Sequence, residues 1–178
     1  MKKLLSKFFV LQSLSLLTVF LYGLYLHEAP AQLAFTQYVL PKAVEANTQA
    51  PDRIAIPSLG IDLQVYKATI VHDVWPTTDL GASYLSTSPL PGETGNSIIY
   101  GHNWTSLFGK LVNAKVGDTV IVTYPDKTKK TFVIAYTSTV SPDESTILAS
   151  STDKRITIYT CTGLLDSKRF VAVALLKE

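Results

Sequence analysis

The stretch ITIYTCTGLLDSKRF, Ile156 to Phe170, reads as a strand, a turn and the opening of a second strand. Strand alternation puts Thr157, Tyr159 and Cys161 on one face of the first strand, with Ile156, Ile158 and Thr160 on the other. Small, permissive residues follow Cys161, so the chain turns and re-enters the sheet as RFVAVALL, with Arg169 opening the neighbouring strand near Cys161. Cys161 is the one cysteine of the chain, so an intramolecular disulfide is impossible.

Further runs of the same texture lie upstream. RIAIPSLGIDLQVYKATI begins at Arg53, and NSIIYGH, DTVIVTY and KTFVIAYTSTV follow it with turn residues between them. Short strands at this spacing predict an all-β domain, closed or nearly closed into a barrel, over residues 52–178. YPDKTKKTF is a hairpin loop whose lysines face solvent. The stretches 71–95 and 141–154 read as long loops, the second with a short helical turn that Asp143 could cap.

The N-terminus has a different character. Phe8 to Leu26 is a nineteen-residue run without charge, long enough as a helix to span a hydrocarbon core. Lys2, Lys3 and Lys7 precede it, which predicts a cytoplasmic tail at 1–7, a transmembrane anchor at 8–26 and an extracytoplasmic remainder. A cleaved signal peptide is the alternative, because Ala29-Pro30-Ala31 has a small-x-small pattern; the length of the apolar run favours the anchor. Residues 27–51, rich in Ala and Gln with three prolines, read as a stalk in which no chemistry is visible.

Sixteen basic residues stand against fourteen acidic ones, and without the three tail lysines thirteen remain. A folded part near neutrality gives nucleic-acid binding no electrostatic support. Gly92 and Gly95 mark a turn, far from a phosphate loop. One Cys and three His assemble no zinc set, so neither metal nor cofactor is expected. Asn103-Trp104-Thr105 fits a glycosylation sequon, a three-residue pattern that arises often by chance.

In an oxidising compartment an odd cysteine is either a reactive thiol or a small buried hydrophobe. The reactive reading needs a proton donor and an oxyanion donor beside the thiol. His102 closes the strand NSIIYGH after Gly101, a residue that permits close backbone approach, and Arg169 offers forked, permanently charged donors. His72, in a loop beside Asp73, is the rival base. Arg169 could instead pair with a nearby carboxylate such as Asp166.

These residues resemble the sortases, membrane-anchored cysteine transpeptidases. TIYTC at Thr157–Cys161 is similar to the TLxTC signature with Ile158 in place of Leu, YGH ending at His102 to the histidine motif, RFVAVA to the arginine strand, and IAIPSLGIDLQV to the opening strands. The resemblance implies an eight-stranded β-barrel with His102, Cys161 and Arg169 around a groove. Cys161 would attack the threonine carbonyl of an LPxTG-like sorting signal, His102 would protonate the departing amine, and Arg169 would steady the substrate or oxyanion. An amine on a cell-wall precursor or pilin would then resolve the thioacyl enzyme. Tyr159 and Thr160, beside the nucleophile, are expected to bind substrate, and the chain to act as a monomer at the cell membrane. The short Cys161-to-Arg169 connection departs from the long loop of class A enzymes, so the calcium site of that class is not carried over and the subclass stays open. Two other readings stand beside this one. An L,D-transpeptidase would carry a His-Gly pair before the cysteine, where Tyr159-Thr160 stands, and an anchored binding module would merely bury Cys161.

Overall fold

The computed structural model describes residues 2–28, 33–36, 50–71 and 74–177. Eight strands run β1 Arg53–Ile56, β2 Ile61–Ala68, β3 Ala82–Leu85, β4 Gly95–Tyr100, β5 Thr119–Thr123, β6 Lys129–Val140, β7 Lys154–Thr162 and β8 Lys168–Leu176. They close a barrel in the order β1-β2-β3-β4-β7-β8-β6-β5. Closure leaves no free sheet edge to pair with another chain.

The long first run divides in two at a 3-10 turn, Pro57–Leu59, after which β2 pairs antiparallel with β1 through Ile56 and Ile61. β3 lies inside the 71–95 stretch that the sequence assigns to loop. All four of its residues are buried, so it shows no polar alternation to mark it as a strand. The turn at Ser145–Leu148 has Glu144 at its N-cap and no side-chain cap bond, and the backbone carbonyl of Asp143 accepts from Ser145 N.

Alternation along β7 divides the apolar residues into two layers. Ile156 and Ile158 point into the barrel with Ile54, Ile99, Val120 and Phe132. Tyr159 and Cys161 point outward into a second cluster with Ile98, Tyr100, Leu148 and Val171. Two parallel aromatic rings, Tyr100 and Tyr159, form its floor with centroids 5.4 Å apart. Trp75 covers Tyr100 edge-on at 5.4 Å. An outer face apolar enough to need a second layer is what draws loops and the N-terminal segment onto this side of the barrel.

Lys2–Glu28 form one helix, α1, with Phe9, Leu14, Phe20 and Tyr25 exposed. Its described side chains run unbroken only from Phe9 to Tyr25, and among the described residues no helix is long and apolar enough to cross a membrane.

Candidate active site

Strand register assembles the site. β4 and β7 run parallel, and their pairing ends at Tyr100 opposite Tyr159. β4 ends there, and the chain runs on through Gly101 to His102 beside the last residues of β7, Thr160 to Thr162. Two bonds hold the strands together beyond the paired segment: Gly101 N donates to Tyr159 O at 3.4 Å, and Thr160 Oγ1 to Gly101 O at 2.8 Å. On the other side β7 pairs antiparallel with β8, and Cys161 stands directly opposite Arg169. Cys161 thus lies between His102 and Arg169 at one end of three adjacent strands. A Cβ on Gly101 would come to 3.0 Å from the Phe108 ring, so the absence of a side chain there lets the chain leave β4 tightly packed.

All three side chains are buried: His102 is 9% exposed, and Cys161 and Arg169 3% each. Burial pushes the Cys161 thiol up to about 12; the Arg169 charge opposes this and Asp166 adds to it. The resting side chain is therefore a thiol at neutral pH. His102 stacks on Trp104 with centroids 4.6 Å apart and planes 12° from parallel, which fixes the ring orientation. Arg169 donates through Nη1 to the carbonyls of Asp166 and Lys168, both at 3.0 Å, and through Nη2 to Ala34 O at 3.1 Å. Its Nε–H is buried with no partner, leaving one donor free for an oxygen brought to the site.

Arg169 takes the backbone carbonyl of Asp166, while its carboxylate accepts from Asn103 Nδ2 at 2.7 Å. Tyr159 and Thr160 are fully buried, with Tyr159 Oη donating to Leu33 O at 3.0 Å and Thr160 bound to Gly101. His72, the rival base, lies outside the described residues. Among the described residues no group of three His, Cys, Asp or Glu side chains comes together to hold a metal.

Sequence reasoning missed the cover over this site. Residues 33–36, within the stretch read as stalk, lie on the outer cluster with Leu33 and Phe35 buried. Phe35 meets the Tyr159 ring edge-on at 5.1 Å, and Thr36 N donates to Pro142 O at 2.9 Å. The one available signal is the apolar pair Leu33 and Phe35 spaced by two in an Ala- and Gln-rich segment. A cleft of about 430 Å³ lined by Leu90, Glu93, Tyr124 and Lys130 sits where β4 begins, away from His102.

Residues 54–177 match the sortase domain family, and the chain belongs to it. It is similar to sortase A of Listeria monocytogenes serovar 1/2a, 30% identical over 129 residues that make up 70% of this chain and 55% of that protein. The chain thus spans about half the length of this relative. The crystal structure of Listeria monocytogenes sortase A superposes with a TM-score of 0.57 at 27% identity, covering 75% of this chain and 89% of that one. A lid mutant of sortase A from Corynebacterium diphtheriae shares the fold with a TM-score of 0.65 at 23% identity, over 88% and 94% of the two chains. Family membership sets aside the L,D-transpeptidase reading.

Proposed function

We propose that this chain is a cysteine transpeptidase that cleaves an LPxTG-like C-terminal sorting signal and passes the acyl group to an amine on a cell-wall precursor or a pilin. The observation that carries this reading is the strand register that aligns His102, Cys161 and Arg169, together with the unpartnered buried Nε–H of Arg169. Cys161 Sγ passes its proton to His102 and adds to the scissile carbonyl, and Arg169 donates to the oxyanion that forms. The tetrahedral species collapses to a thioester as the C–N bond breaks, and the leaving amine takes its proton from His102. The incoming amine then attacks the thioester, giving up a proton to His102 as the C–N bond forms, and the C–S bond breaks with that proton returned to Sγ, so the amide's energy is conserved without ATP. A thiol pushed up to about 12 leaves little thiolate at rest, which predicts slow turnover until substrate arrives.

We further infer a single-pass anchor at residues 8–26, with the tail at 1–7 cytoplasmic and residues 27–51 joining it to a monomeric catalytic domain at 52–178 outside. The uncharged run from Phe8 to Leu26 supports this. Carbonate washing should leave the protein in the membrane fraction; recovery of a chain beginning at Gln32 would replace the anchor with a signal peptide.

The reaction is tested by incubating the protein with an LPxTG-type peptide and a glycine- or lysine-type amine. The expected results are a covalent adduct on Cys161 by mass spectrometry and diversion of hydrolysed acid to new amide. Cys161→Ala and His102→Ala should abolish cleavage. If no adduct forms and iodoacetamide also fails to label the protein with its cover loosened, Cys161 is structural and the chain an anchored binding module.

A further inference from the structure

The turn between β7 and β8 holds two consecutive non-glycine residues in the left-handed region, Leu165 at φ 51 and Asp166 at φ 58. Each costs of order 1 kcal/mol or more and persists only where its surroundings impose it. Those surroundings are visible around Asp166. The residue is 9% exposed; its N–H donates to Gly163 O at 3.3 Å, and its carbonyl accepts from Arg169 Nη1 at 3.0 Å. Its carboxylate accepts from Asn103 Nδ2 at 2.7 Å. One strained residue therefore joins the arginine strand to the residue that follows His102.

The other end of this link is equally confined. Asn103 lies between His102, whose carbonyl accepts from Phe108 N at 3.0 Å, and Trp104, whose carbonyl accepts from Leu107 N and Gly109 N, both at 2.8 Å. A Cβ on Gly109 would meet Asn103 O at 2.5 Å, so the loop is wound too tightly there to admit a side chain. The β4–β7 ladder ends at Tyr100 opposite Tyr159, and the two bonds at Gly101 tie the chain to β7 one residue short of His102, which leaves the gap between the histidine loop and the β7–β8 turn to be crossed further on. The Asn103–Asp166 hydrogen bond crosses that gap beside Cys161.

We propose that Asp166 and Asn103 are positioning residues that clasp the β7–β8 turn to the histidine loop and so set His102 and Arg169 at working separation on either side of Cys161. This rests on the reading of His102 as proton donor and Arg169 as oxyanion donor. It separates two effects of Asp166 that pull against each other. The hydrogen bond orders the site, whereas the negative charge, after burial and against Arg169, helps hold the neighbouring thiol up. The clasp is retained at that cost to thiolate formation.

The test uses the full chain in detergent and the variants Asn103→Ala, Asp166→Ala, their double variant and Asp166→Asn. An amide oxygen at position 166 still accepts from Asn103, so Asp166→Asn preserves the clasp and removes the charge. Peptide cleavage kinetics are read beside the rate and pH dependence of Cys161 alkylation by iodoacetamide. Each Ala variant should lose about ten- to a hundredfold in kcat with KM little changed, as a displacement near 1 Å at a reacting group does. The double variant should be no worse than the poorer single one, since both break one link. Asp166→Asn should keep kcat within about threefold, and its alkylation should reach half-maximum at lower pH than in the wild type, because a charge that raises the thiol is gone. Wild-type kcat in both Ala variants, additive losses in the double variant, or a loss in Asp166→Asn equal to that in Asp166→Ala would overturn the clasp. Should the wild type cleave no peptide, the transpeptidase reading fails, and hydrogen exchange decides the clasp by itself. Residues 102–109 and 163–168 should lose protection together in either Ala variant and keep it in Asp166→Asn; independent behaviour of the two segments refutes it.

Discussion

Phe35 should govern access to Cys161. Its side chain is buried between Trp75 and the edge of Tyr159, in the same outer cluster that contains the cysteine. Truncating a buried Phe to Ala costs about 3–5 kcal/mol in a core. Here the cost falls on the segment 33–36, held by Leu33 and by bonds from Tyr159 Oη, Arg169 Nη2, Thr36 N and Thr36 Oγ1, rather than on the closed barrel. Phe35→Ala should therefore shift docking of the segment toward the released form by roughly a hundredfold or more, since about 1.4 kcal/mol is tenfold. A thiol near 12 instead of the ordinary 9.0 also carries about a thousandfold less thiolate at pH 7.5, and uncovering it returns part of that factor. Pseudo-first-order alkylation by iodoacetamide at pH 7.5, followed by intact mass, should accelerate at least about thirtyfold in Phe35→Ala. The pH of half-maximal rate should fall toward 9.0 while the thermal midpoint changes little. Val116→Ala, at a position 68% exposed, serves as control. An unchanged rate in a folded Phe35→Ala protein would show that the segment does not shield the thiol.

Arg169→Lys should lower kcat by about a hundredfold or more with a nearly unchanged fold by circular dichroism, because the three donors of an ammonium are matched by the carbonyls of Asp166, Lys168 and Ala34 and leave none for the oxyanion, whereas the guanidinium fork has five. Asn96→Ala removes donors to the carbonyls of Ile147 and Ala149 and an acceptor for Thr157 Oγ1, so it should cost about 1–3 kcal/mol in denaturant unfolding and raise hydrogen exchange across residues 144–150. Asp153 is held down to about 2, mainly by hydrogen bonding from Arg155. Its contribution is complete above 3.8, the ordinary value, and is lost as pH falls toward about 2. Asp153→Asn should accordingly flatten the melting temperature between pH 4 and 2 and, the pair being largely exposed, change stability at pH 7 by less than about 1 kcal/mol.

The residues proposed to do the chemistry can be picked out in the sequence because their signals are local. A lone cysteine at the end of an alternating run, a histidine closing another run after glycine, and an arginine opening the next strand are all readable without coordinates. Seven of the eight strands lay in runs with β-texture, the first run yielding both β1 and β2. Strand β3 was hidden, because burial on both faces removes the period-two contrast that identifies a strand. The covering segment was hidden for a different reason. Leu33 and Phe35 are ordinary apolar residues in a low-contrast stretch, and only the outward-facing surface of Tyr100, Tyr159 and Trp75, drawn from three distant parts of the chain, gives them a place to bind. Likewise a sequence can suggest that Asp166 lies near Arg169, but not which atom is used. That choice depends on a left-handed turn and on Asn103, 63 residues away, whose amide donates to the carboxylate. Sequence by itself determined the strands' composition and the reactive residue types, since these follow from side-chain chemistry and backbone period. Tertiary structure alone decided their mutual position, because the parallel register of β4 on β7 and the antiparallel register of β8 on β7 depend on barrel closure, to which every strand contributes.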